Sequence, residues 1–115
     1  MAEKQKIEHE WVANLRRDQR WQEGRLATVR LPGTEAVALT GDLSLGGLRL
    51  AVYGTAPVPG DQVNVEIAFE QEIVHLSGFV RHATSTEWGS VIGVGFEDTG
   101  QTYLARRFID RGQQG

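Results

Sequence analysis

The spacing of apolar residues along the chain changes character at Gly24. Before it, Ile7, Trp11 and Leu15 recur every four positions, which sets them on one face of a helix. A short amphipathic helix within residues 2–14 is expected, with too little apolar surface to be stable alone. It must dock on the rest of the chain or stay mobile. Residues 16–23, RRDQRWQE, carry no clear period and read as a charged linker. From Gly24 to Phe96 the period becomes two, the pattern of half-buried strands.

The first candidate strand is 25–31, and 36–42 follows the Pro32-Gly33 turn signal. In 48–52, Leu48, Leu50 and Val52 share one side while Arg49 and Ala51 take the other. Beyond the Pro57–Gly60 turn, 63–69 directs Val63, Val65, Ile67 and Phe69 inward. Segment 73–82 places Val74, Leu76 and Val80 on the core side, with Gly78 a bulge or a close backbone approach. Segment 90–96 groups Ile92, Val94 and Phe96 and leaves Gly93 and Gly95 opposite. Six short strands so spaced indicate an antiparallel barrel or sandwich. A closing helix is predicted after them. Asp98 and Gln101 form its capping box. Leu104 and Phe108 lie one turn apart, Arg106, Arg107 and Arg111 suit its C-terminal dipole, and Gly112 ends it. The expected class is mainly β with a C-terminal α-helix: an N-terminal extension 1–14, a domain 15–111 and a frayed tail 112–115.

Composition narrows the function classes. A length of 115 residues suits one domain with one modest core. No apolar run approaches the roughly 20 residues that span a bilayer, and the N-terminus lacks a signal-peptide core. Cysteine is absent, which excludes disulfides, a thiol nucleophile and a thiolate metal site. A cytoplasmic location is expected. His9, His75 and His82 are scattered without zinc-ligand spacing, so no metal is expected. Nothing resembles a catalytic triad, a P-loop or a paired-carboxylate site; no catalytic residue is assigned and no enzyme is expected.

A net charge of −3 and acidic strands over 61–72 argue against a DNA or RNA partner. Yet Arg16, Arg17, Arg20, Arg25 and Arg30 hold five of the twelve basic residues within fifteen positions. That cluster points to a small anionic ligand, with a solvated arginine face as the alternative.

Two short patterns carry the chemistry. Arg16-Arg17-Asp18-Gln19-Arg20 is an RxxxR pair, a spacing that recurs at Arg107/Arg111 and that chance supplies about once in such a chain. Asp42-Leu43-Ser44-Leu45-Gly46-Gly47 is a DxSxxG turn, expected by chance only about three times in a hundred. Taken alone, Asp42 and Ser44 can simply hold an Asx-type turn, with Gly47 supplying positive φ. Trp88 and Trp21 are further candidates, either stacking on a base or covering the edge of the core.

An RxxxR pair before the first strand, a DxSxxG turn some twenty residues on, six strands and a closing helix together resemble the PilZ family. DLSLGGLRL is similar to that family's turn and following strand, and Ile92-Gly93-Val94-Gly95-Phe96 to its last strand. The resemblance covers about residues 15–111. It implies a six-stranded antiparallel β-barrel of the standalone, single-domain type that acts as a bacterial receptor for cyclic di-GMP. No cofactor is implied beyond that ligand.

Arg16 and Arg20 would then be the primary contacts, because a guanidinium fork can grip a phosphate or bond guanine O6 and N7. Arg17 would add a phosphate contact. Asp42 would accept from guanine N1–H and N2–H₂ or orient an arginine, and Ser44 would offer its hydroxyl. Gly47, with Gly46 beside it, would permit a close approach that a Cβ obstructs. Leu15, apolar and just before the pair, leans towards one ligand per domain rather than a stacked pair.

The charge of the arginine loop then suggests a switch. The arginine-rich loop 16–20, with little apolar anchorage, should be mobile until ligand pins it against the turn and reorients the N-terminal segment towards an effector protein. The output would be a process such as motility or biofilm formation. The alternative is a PilZ-like interaction adaptor that does not bind the nucleotide.

Overall fold

The computed structural model describes residues 10–22, 24–44, 46–69 and 72–97, backbone only at 43, 44 and 69. Six strands form: β1 Leu26–Leu31, β2 Thr34–Ser44, β3 Gly47–Tyr53, β4 Gln62–Phe69, β5 Glu72–Ser85 and β6 Gly89–Phe96. Every pairing is antiparallel, and the order β1-β2-β3-β6-β5-β4 closes on itself through β1 and β4. Each expected strand is present, and the barrel implied by the resemblance is the architecture. Strands β2 and β5 run longer than their apolar patterns, because pairing continues into the polar hairpin arms.

Period-two alternation fills the barrel. Val29, Leu50, Val52, Val63, Val65, Ile67, Leu76 and Ile92 are all buried inside it. Val74 and Phe96 pack against this cluster from its margin. Side chains on the other face of β2, β3 and β6 follow a different plan. Leu39 and Ala51 are fully buried there by a second cluster built on Trp11 and Trp21. The irregularity on β5 falls at Arg81, where the register to β6 shifts between Val80 and His82. Gly78 is a close approach instead: a Cβ there would run into the Gly95 carbonyl.

Residues 10–15 are helical, and the Arg16 N–H still donates to the Val12 carbonyl at 3.0 Å. Trp11 docks this segment, its ring centroid 5.2 Å from that of Tyr53 and 5.5 Å from that of Trp88. The stretch 16–23, expected as a plain charged linker, contains a 3-10 turn over Gln19–Trp21 instead. Trp21 is only 4% exposed, so the loop has the apolar anchorage that its charge pattern concealed. The predicted closing helix, with Asp98, Gln101, Leu104 and Phe108, lies outside the described residues, as does Ile7. Among the described residues, no helix is long and apolar enough to cross a membrane.

Candidate functional site

The strand surface that the second cluster covers at one end lies open at the other. Along β3 the outward positions run Tyr53, Ala51, Arg49, Gly47; along β6 they run Gly89, Val91, Gly93, Gly95. Apolar residues at the first end give the N-terminal helix something to cover. At the second end glycines and arginines leave a hollow of about 470 Å³, lined by Asp42, Gly47, Arg49, Arg81, His82 and Gly93, with Gly46 at its rim.

Glycine makes the floor. A Cβ on Gly93 would collide with the His82 ring, and one on Gly95 with the Arg81 guanidinium. Both side chains therefore lie flat across β6, with the bulge re-aiming Arg81 over Gly95. Gly47 is required for a related reason. Its backbone is not among the positive-φ glycines, and a Cβ there would strike the Val94 carbonyl of β6. The turn glycine thus serves close strand approach, not a left-handed conformation. The Gly46 carbonyl accepts from the Phe96 N–H at 3.0 Å, fastening the turn to β6.

The arginine loop reaches the rim through Trp21, whose ring packs on Gly41, beside Asp42; a Cβ on Gly41 would lie 2.6 Å from it. Asp18 organises the loop. Its carboxylate accepts from Arg20 Nη2 at 2.9 Å and Nε at 3.4 Å, and from the Arg20 backbone N–H at 2.9 Å. These bonds hold the Asp18 carboxyl below its ordinary range, the side-chain bond contributing most. They raise Arg20 in turn, with a smaller push from the charge of Asp42. Asp42 sits 3.8 Å from Arg49. An alternating series Asp18, Arg20, Asp42, Arg49 therefore runs from the loop to the hollow.

Not every expected residue converges. Asp42 and Gly47 line the hollow, whereas Arg20 does not and is touched only by the charge of Asp42. Arg16 instead donates to the Gly24 carbonyl at 3.0 Å, and Arg17 is exposed on the loop; neither lines the hollow. The Ser44 backbone pairs with Gly47, while its side chain lies outside the described residues. Leu15 packs on the second cluster. Trp88 and Trp21 also belong to that cluster and do not line the hollow, in keeping with the core-covering alternative for both. The arginine cluster is not compact either: Arg30 reaches across from β1 to Glu66 of β4, at 3.5 Å.

Sequence reasoning passed over Arg49, Arg81 and His82 as site residues. The available signal was Gly93 and Gly95, two bare positions on an outward strand face. Among the described residues, no group of histidine and carboxylate side chains could hold a metal ion. A family model for the PilZ domain matches residues 14–110 of the chain. No curated protein matches it.

Proposed function

The chain belongs to the PilZ domain family, and on that premise we propose that it binds cyclic di-GMP in the hollow over β3, β6 and β5. PilZ domains are nucleotide-binding receptors, and the ligand's two phosphates and two guanines match what this surface offers. The observation that carries the reading is the juxtaposition of two arginines of different origin, Arg49 and Arg81, around one glycine floor beside Asp42. Arg49 comes from β3 and Arg81 from the β5 bulge, while Arg20 stands on the loop outside the lining and feels the charge of Asp42. Each guanidinium can grip a phosphate or bond a guanine edge through O6 and N7, a geometry lysine does not reproduce.

Asp42 accepts from guanine N1–H and N2–H₂ or holds Arg49 in place. Arg16 and Arg17 swing from their present positions to the ligand, and the Ser44 hydroxyl joins them at the turn. One ligand per chain is expected, since Leu15 is apolar and engaged with the second cluster.

The output follows from connectivity. The loop that would move is continuous with the helical residues 10–15 that Trp11 holds against Tyr53 and Trp88. Ligand that draws Arg16 and Arg20 towards the turn pulls on that helix and changes the surface offered to an effector protein. The size of the change is bounded by the difference in ligand affinity between the two loop states.

Calorimetric titration with cyclic di-GMP tests this. Micromolar or tighter binding near one ligand per chain, abolished by Arg20→Ala or Arg16→Ala, is the expected result. A wild-type protein that takes up no ligand would favour the constitutive adaptor instead.

A further inference from the structure

Asp18 lies inside the arginine motif, between the two residues that define it, and it occupies the hydrogen-bonding fork of one of them. Arg20 Nη2 reaches one carboxylate oxygen at 2.9 Å and Nε the other at 3.4 Å. That two-point grip is the one a phosphate or a guanine edge would need from the same guanidinium. We propose that Asp18 is a built-in competitor for the ligand: it occupies the Arg20 fork when the site is empty and must be displaced for Arg20 to bind.

The inference rests on the cyclic di-GMP reading and adds an affinity-setting residue to it. A second role of Asp18 makes the contact persistent. Its Oδ1 also accepts from the Arg20 backbone N–H, as the N-cap of the Gln19–Trp21 turn. The buried Trp21 anchors that turn, so the carboxylate stays near the fork whether or not the ion pair is closed. Asp18 is in contact with Arg20, and the charge of Asp42 acts on it only at longer range. Ligand has to win Arg20 from Asp18.

The magnitude is limited by exposure. Arg20 is 59% exposed and Asp18 43%, and a pair of that kind holds its partner weakly. Releasing it should tighten ligand binding by about two- to fivefold, the worth of an exposed ion pair expressed as an affinity ratio. Asn and Ser cap helices about as well as Asp, so Asp18→Asn and Asp18→Ser remove the charge and keep the turn.

The test compares cyclic di-GMP affinities of the wild type, Asp18→Asn, Asp18→Ser and Glu87→Gln. The last removes one negative charge at an exposed position that does not line the hollow. Tighter binding by both Asp18 variants, with Glu87→Gln unchanged, is the expected result. Equal or weaker binding by both Asp18 variants, at unchanged melting temperature, overturns the proposal. So does an equal gain from Glu87→Gln, which would mark a general charge effect. No binding by the wild type would sink the ligand reading itself, a result distinguishable from failure of the competitor.

Discussion

One strand surface on this barrel has two ends that fold by the same rules and do opposite things. At the first, Ala51, Tyr53 and Val91 present apolar groups, and the N-terminal segment covers them through Trp11 and Trp21. At the second, Gly47, Gly93 and Gly95 present almost nothing, and the space fills with the flat side chains of Arg81 and His82. Strand pairing is continuous across both, from Tyr53↔Gly89 to Gly47↔Gly95. The backbone therefore does not distinguish them; side-chain volume does. Large groups recruit a cover, and missing groups leave a floor. The arginine loop is the join, anchored in the covered end by Trp21, whose ring packs on Gly41 beside Asp42 at the open end.

The contrast breaks most visibly if the cover loses its anchor. Trp21→Ala should cost about 3–5 kcal/mol of stability, as for other buried tryptophans, and free the loop. Chemical denaturation measures the first effect and loss of amide-exchange protection over residues 16–22 the second. A change below 1 kcal/mol would mean that the second cluster does not hold the loop.

At the open end, two glycine substitutions should separate fold from site. Gly47→Ala sets a Cβ against a backbone carbonyl, which cannot move aside, and should cost about 1–3 kcal/mol. Gly95→Val meets first the exposed Arg81 side chain, which can swing aside, and valine suits a strand. Its melting point should stay near wild type, while cyclic di-GMP affinity falls by about tenfold through displacement of Arg81. Equal losses of stability in the two variants would deny the distinction.

The smallest effect lies at the join. Asp18 titrates below its ordinary value because Arg20 donates to it. A depressed carboxyl stabilises the folded chain above its unfolded pKa of about 3.9, and that contribution disappears as pH falls through the folded value. Neutral-pH stability should therefore be flat with respect to this group. Carboxyl-carbon NMR should place its midpoint below the ordinary range, and Arg20→Ala should return it upward. A midpoint unmoved by that substitution would show that the pair does not persist in solution.

How much of this was legible beforehand follows the same division. Alternation of Leu48, Leu50 and Val52, or of Ile92 and Val94, reports the barrel interior directly, because a one-residue slip would expose every one of them. The N-terminal helix announced its docking face through Trp11 and Leu15. Trp21 was hidden among charges in RRDQRWQE, where no period marks a single buried ring. The motif turn was legible as a pattern, whereas the reason for Gly47 was not, since it depends on a carbonyl nearly fifty residues away in β6. Arg81 and His82 escaped for the same cause. Gly93 and Gly95 signal an open floor, but which side chains lie over it is a cross-strand relation set by a bulge.

The most direct test of the central claim is a map of backbone amide shifts on adding cyclic di-GMP. The account predicts perturbations at Arg20, Asp42, Gly47, Arg49, Arg81, Gly93 and Gly95, a smaller response at Trp11, and silence along β1 and β4. Absence of any shift, or shifts centred on β1 and β4, would contradict it.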